Sequence, residues 1–403
     1  MRAATAVPAL LALLAAFAQA LAPEAALEAA ASAAASAAPC PCDDAALCRA
    51  LRRGFRAREV LGFTAAADGA GVDWARVSTI AWPPRPSEYV GNASLLCQAH
   101  ARGVRLLGND DVFARVPITD SASERGAWIA GTVAAVLSRG LDGLVFDYEE
   151  PQPVGSPQAR WYAELIRETR LALRRADPVL SVITCVAWSP DAIDGRGYDA
   201  AALAAASDLL YVMDYDTRSQ IFDACIAAAN APLAGTVKGV QRFIDLGIKA
   251  GQLVLGVPWY GYRYKCLAGT PRDARFCPIQ QVAFRSVSCS DAAGSQVAFR
   301  DLQAIIRAAN ATLQWDDNQA APFFNTVEGQ EQGVVQYWFD DASSLRSKYA
   351  FAAELGLRGV GPYTFSDAPA DQFPDMWAAF DAFLRHPAGR SPKREPGLEA
   401  LAY

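Results

Sequence analysis

A chain of 403 residues can bury one large α/β core or two ordinary ones. Only 20% of it is charged, the formal net charge is −6, and no basic stripe runs through it, which excludes nucleic acid as an expected partner. Nine cysteines fit an oxidising compartment, while two histidines (His100 and His386) and the absence of paired two-residue cysteine knuckles argue against a zinc site.

Residues 1–22 carry Arg2, an apolar run through Leu10, Leu11, Leu13, Leu14 and Phe17, and small residues at Ala18-Gln19-Ala20 and Ala20-Leu21-Ala22. A secretory signal peptide is expected there. The Ala-rich stretch 23–39 has no face to bury and reads as a linker, so order should begin near Cys40. Cys40-Pro41-Cys42 with Cys48 resembles a small N-terminal staple. No later run is long and apolar enough to span a membrane, so no membrane contact is expected. Asn92-Ala93-Ser94 and Asn310-Ala311-Thr312 are glycosylation acceptors.

Short apolar runs recur at 60–65, 77–82, 104–108, 143–149, 180–188, 209–216, 253–261 and 359–365. Helical patterns lie between many of them, as at 127–138, 159–176, 236–246 and 343–355. Such a strand–helix repeat predicts an α/β fold, a parallel (β/α)8 TIM barrel, with any chemistry at the C-terminal ends of its strands. Those ends include Trp82, Asn109, Asp147, Glu149, Trp188, Asp214-Tyr215-Asp216, Trp259 and Tyr363. Aromatics cover the apolar faces of sugar rings and carboxylates take their hydroxyls, so the mouth has the character of a carbohydrate site.

The stretch Asp142-Gly143-Leu144-Val145-Phe146-Asp147-Tyr148-Glu149-Glu150 is read as a buried strand ending in acids. Alternation puts Val145, Asp147 and Glu149 on one face and Leu144, Phe146 and Tyr148 on the other, with same-face Cα atoms roughly 6.5–7 Å apart. Coupling between two such carboxylates can keep one protonated, as glycosidic cleavage requires. Neighbours on one strand cannot flank a sugar from opposite faces, as ordinary glycosidase pairs do. The nucleophile is therefore expected from the substrate's 2-acetamido oxygen. A solvated acidic strand end or a divalent-metal site is the competing reading of this stretch alone.

Residues 262–340 are too long for one repeat and contain Cys266, Cys277 and Cys289; they are read as a disulfide-stabilised α+β insertion after strand 7 that walls the cleft. Tyr260, Tyr262 and Tyr264 fit subsite platforms and ordinary packing equally well. The odd cysteine count leaves at least one thiol outside intramolecular disulfides, and Cys185, in an apolar run, is the candidate. The barrel domain should span 40–386, followed by a disordered tail at 387–403.

Asp142 to Glu149 resembles the Asp-Gly-x-Asp-x-Asp-x-Glu signature of glycoside hydrolase family 18. Met213-Asp214-Tyr215-Asp216 resembles its Met-x-Tyr-Asp motif; Gly256-Val257-Pro258-Trp259-Tyr260-Gly261 and Trp338-Phe339-Asp340-Asp341, with Ser344 and Lys348, also match. Cys40-Pro41-Cys42, Leu47-Cys48 and Cys289-Ser290-Asp291-Ala292-Ala293-Gly294 resemble the chitobiase-like branch of that family.

The resemblance implies substrate-assisted, retaining hydrolysis of the β-1,4 bond between N-acetylglucosamine units, in the chitobiose core of Asn-linked glycans. Glu149 would protonate the glycosidic oxygen, and Asp147 and Tyr215 would hold the acetamido group. Asp216, Met213, Trp259, Tyr363, Trp82 and Asp142 would bind substrate. It implies no cofactor, no metal, an oligosaccharide as partner, a monomer, and delivery to the lysosome through the secretory pathway, with secretion as second choice. A non-catalytic chitin-oligosaccharide lectin and a general endo-chitinase are the alternatives. Val145 and Tyr363 depart from the family's usual Asp and Trp, and Asp214 is an additional acid expected to face away from Tyr215.

Overall fold

The computed structural model describes residues 40–82, 94–109, 115–217, 224–285, 287–328 and 333–387. The expected signal peptide, the linker, Asn92 and the tail beyond 387 lie outside them.

Eight parallel strands close into a barrel. Seven precede the insertion: β1 (Glu59–Phe63), β2 (Thr79–Trp82), β3 (Arg105–Asn109), β4 (Gly143–Phe146), β5 (Ser181–Ala187), β6 (Leu209–Met213) and β7 (Leu253–Pro258). The insertion then contributes β8 (Tyr260–Lys265), β9 (Gly294–Ala298), β10 (Gln314–Asp316), β11 (Ala321–Glu328) and β12 (Gly333–Trp338), and β13 (Gly359–Tyr363) closes the barrel between β7 and β1. The insertion's strands form an antiparallel sheet in the order β10-β11-β12-β8-β9, with a helix at Phe299–Ala309.

Strand periodicity divides the side chains into two cores. Leu61, Phe63, Ala81, Leu107, Val145, Ile183, Cys185, Tyr211, Met213 and Val254 fill the barrel. The alternate positions, among them Ile80, Leu106, Leu144, Phe146, Val182, Leu210 and Leu255, pack outward beneath the helices. The helix at Pro157–Ala176 shows why these segments fold locally. Ser156 caps Ala159 N, Pro157 occupies the first turn, and Tyr162, Ala163, Leu165, Ile166, Thr169, Ala172 and Leu173 form its buried stripe.

Asp142, expected to bind substrate, is instead buried at the N-terminal end of β4, opposite the mouth. Its carboxylate accepts from the amides of Leu51 and Leu106, both at 2.7 Å, and meets His100 Nε2 at 2.9 Å. Gly143 follows with φ +146°, and a Cβ there would stand 1.9 Å from Ser181 O, so only glycine fits. The Asp-Gly of the signature is thus a device for closing the barrel floor. Asp340 and Lys348 likewise form a buried ion pair at 2.6 Å, and Asp341 and Ser344 make a capping box at the start of the helix at Ala342–Glu354.

Disulfides join Cys40 to Cys48 and Cys42 to Cys97, tying the N-terminal segment beneath the barrel. Cys266–Cys277 lies within the insertion, and Cys225–Cys289 ties it to the loop after β6. Cys185 belongs to none of these four bridges and is buried in the barrel.

Replacing Asp142 by Ala should cost about 3 kcal/mol of stability, because the buried Leu106 amide, the part-buried Leu51 amide and His100 lose their acceptor. Denaturant unfolding measures this, with activity per folded molecule changing little. Weakened substrate binding at unchanged stability would return Asp142 to the substrate site.

Candidate active site

β4 is three residues shorter than the run 143–149: it ends at Phe146, so Asp147 and Glu149 lie just beyond the strand. The segment beyond it is held by neighbours. Tyr148 packs on Tyr162 and Tyr198 at 5.3 and 6.3 Å, and the Tyr198 hydroxyl donates to Glu150 O. Gln152 N donates to Gly195 O at 2.9 Å and Gly197 N to Gln152 O at 2.8 Å, zipping the loop after β4 to the loop after β5.

That zipper brings Arg196 to Glu149. Arg196 Nη1 donates to Glu149 Oε2, while Nη2 reaches Asp194 Oδ2 at 3.1 Å and Nε reaches Ile193 O at 3.4 Å. The Arg196 side chain is 9% exposed and that of Glu149 50%, so a held guanidinium meets a carboxylate open to the cleft. The sequence expectation paired Glu149 with Asp147 alone; Arg196 is a partner it missed, contributed by a different loop.

Across the mouth, β6 presents Met213 and then Tyr215 and Asp216. Tyr215 stacks obliquely against Tyr363 at 5.6 Å and edge-on against Tyr260 at 6.1 Å. Burial, followed by the neighbouring Tyr211, pushes its hydroxyl well above the usual phenol range, so it stays protonated and can donate a hydrogen bond. Asp216 has φ +54°, and its Oδ1 accepts from the Tyr260 and Tyr262 hydroxyls at 2.6 and 3.0 Å. Gln296 Nε2 reaches Oδ2 at 3.4 Å, and Asn230 Oδ1 accepts the Asp216 amide at 2.7 Å. Tyr260 and Tyr262 are thus packing residues whose hydroxyls orient Asp216, Tyr262 also lines the cleft, and Tyr264 is fully buried against Tyr262.

The cleft measures about 500 Å³. Glu149, Trp188, Asp194, Arg196, Met213, Tyr215 and Asp216 line it from the barrel, and Tyr262, Phe284, Arg285, Asp291 and Gln296 from the insertion. Asp291, which the sequence marks only as a member of the motif Cys289–Gly294, faces this cleft. Burial and then the charges of Asp216 and Asp194 push its carboxyl up to about 7. Burial also raises Asp216. Asp214 lies on the outer side of β6 beneath the helix at Leu233–Asp245, where Thr236 donates to it at 2.6 Å; burial raises it to about 6.

Two aromatic expectations are overturned. Trp82 is 4% exposed and packs outward under the helices, because its neighbour Ala81 holds the inward position. Trp259 is fully buried against Phe365, Trp377 and Phe380, continuing the outward series Leu255 and Val257. Neither reaches the mouth. Tyr363 points inward and is half-buried beside Phe63, Tyr215 and Tyr260. Asn310 is exposed at the end of the insertion's helix. Among the described residues, the close group of potential metal ligands is Cys40, Cys42 and Cys48, all committed to disulfides. No described helix is long and apolar enough to cross a membrane.

A barrel with acids at the end of β4 and a Tyr-Asp pair after β6 defines a carbohydrate-cleaving class, and the chain belongs to it: residues 108–367 match glycosyl hydrolases family 18, making this protein a glycoside hydrolase. Among its relatives, di-N-acetylchitobiase of Rattus norvegicus is 37% identical over 84% of this chain and 92% of its own length. Di-N-acetylchitobiase of Homo sapiens is 34% identical over 84% of this chain and 87% of its own. A mutant family 18 chitinase from Cycas revoluta, solved in complex with (GlcNAc)4, shares the fold with a TM-score of 0.64 at 18% identity, over 81% of this chain and 99% of that one.

Acids whose folded-state pKa lies above its unfolded value take up protons on folding. For Asp291 (about 7) and Asp214 (about 6) the destabilising contribution is complete above those values and vanishes below the unfolded carboxylate range. Stability should therefore rise as pH falls from 7.5 to 5, by up to about 4 kcal/mol for the two together. Asp214→Asn with Asp291→Asn should flatten this slope in denaturant titrations; an unchanged slope would assign it to other groups.

Proposed function

We propose that this chain hydrolyses the β-1,4 bond between the two N-acetylglucosamine units of the chitobiose core of Asn-linked glycans, in the lysosome, by a substrate-assisted mechanism. The observation that carries the reading is that Asp147 and Glu149 follow directly on the C-terminal end of β4, with Asp147 near Tyr215 and with Glu149, Tyr215 and Asp216 lining one cleft. The chitobiase relatives, similar along most of the chain, support the substrate.

In this mechanism protonated Glu149 gives its proton to the glycosidic oxygen as the bond to C1 breaks. The 2-acetamido carbonyl oxygen of the same sugar attacks C1, forming an oxazolinium ring. Asp147 orients the acetamido N–H and offsets the developing positive charge, while the Tyr215 hydroxyl donates to the acetamido oxygen. Water then attacks C1 from the face the leaving sugar vacated, Glu149 takes its proton, and the ring reopens with retention. Arg196 donates to Oε2 of Glu149, which leaves Oε1 as the oxygen outside that contact. Asp216, with its Tyr260 and Tyr262 donors, accepts from hydroxyl groups near the scissile sugar.

The test is incubation of a reducing chitobiose-core oligosaccharide at acidic pH with the wild type and Glu149→Gln. Wild type should release one reducing-end N-acetylglucosamine, and the variant should be slower by about 10²–10⁴-fold. No turnover by either, with oligosaccharide binding retained, would make the protein a lectin. A substrate carrying a 2-trifluoroacetamido group, whose carbonyl oxygen is less nucleophilic, should be cleaved far more slowly. An unchanged rate would require a nucleophile from the protein.

A further inference from the structure

Glu149 is contacted from the insertion as well as from the barrel. Arg285 Nη1 donates to Glu149 O at 2.9 Å, across 136 positions of sequence, and so bridges the two walls of the cleft. Phe284, 37% exposed, stands beside it with its ring 5.1 Å from the Arg285 guanidinium carbon, and both residues line the cleft.

The segment carrying them is tied down on both sides. Phe284 and Val287 exchange backbone hydrogen bonds at 2.9 Å in each direction. Val282 O accepts from Ser290 N at 3.0 Å and from Ser290 Oγ at 2.9 Å, and Cys289 is bonded to Cys225 in the loop after β6. The Arg285–Glu149 bridge therefore belongs to an anchored wall.

Resting on the reading that Glu149 protonates the departing oxygen, the cleft beyond Glu149 receives the reducing-end sugar. We propose that Phe284 and Arg285 are specificity-determining residues: they form the end wall on that side, leaving space for one sugar past the scissile bond. A longer glycan running past Glu149 would have to cross the Arg285–Glu149 bridge. The cleft, about 500 Å³, has the size of a small-ligand site. The wall makes this glycosidase remove a single reducing-end sugar instead of cutting within a chain.

Chitotetraose deuterated in its reducing-end sugar tests this, with products of the first cut resolved by mass. Wild type should give labelled monosaccharide and unlabelled trimer. The double variant Phe284→Gly, Arg285→Ala should raise the ratio of dimer to monomer by about tenfold, as expected when a selective steric contact is removed. Dimers as the first products of the wild type would overturn the proposal whatever any variant does. Unlabelled monosaccharide from the wild type, or an unchanged ratio in an active double variant, would also overturn it. A wild type that cleaves neither chitotetraose nor chitobiose would remove the hydrolytic reading itself, an outcome visible before any product pattern is compared.

Discussion

Asp142 fixes the height at which β4 enters the barrel. Its carboxylate holds the amides of Leu51 and Leu106, its own amide donates to Leu106 O at 2.8 Å, and its carbonyl accepts from Ser181 N at 3.1 Å. With β4 locked to β3, β5 and the N-terminal segment, alternation leaves no freedom above. Val145 must face inward, Phe146 outward, and Asp147 arrives at the mouth. A one-residue slip would exchange the buried apolar face with the acids, which the packed exterior around Phe146, Trp128 and Tyr162 does not accommodate. The chemistry of the upper end therefore depends on hydrogen bonds made at the lower end.

The same alternation explains which site residues were legible in the sequence. All eight barrel strands fall on apolar runs, and Asp147, Met213, Tyr215 and Tyr363 share the inward parity of their strands. Trp82 and Trp259 were assigned to the mouth by their position at strand ends, although parity with Ile80 and Val257 places them under the helices. Position along a strand gives height, and parity gives the face. Both are needed before an aromatic can be assigned to a ligand.

Arg196, Arg285 and Asp291 were not legible, for a different reason. Arg196 and Arg285 lie in loop backbone and Asp291 opens a single 3-10 turn, too short for a period to relate sequence to direction. Each reaches the cleft through long-range contacts: the Gln152 zipper, the Glu149 carbonyl and the insertion anchored by Cys225–Cys289. The one local signal was the cysteine cluster, which marks the insertion as rigid but does not say what it faces.

The insertion also changes the electrical character of the mouth. A barrel rim bearing Glu149, Asp194 and Asp216 alone would gather negative charge in a shared recess. Arg196 of the barrel loops offsets part of that charge; from the insertion, Arg285 enters the recess, and Tyr260 and Tyr262 give Asp216 two hydroxyl donors. Asp291 takes the remaining position facing Asp216 and Asp194, where burial and their charges favour its neutral form. A neutral carboxyl can donate a hydrogen bond, whereas an ionised one can only accept. The recess thus combines donors and acceptors at mildly acidic pH, and raising the pH would convert Asp291 from donor to acceptor while adding charge beside the reacting groups.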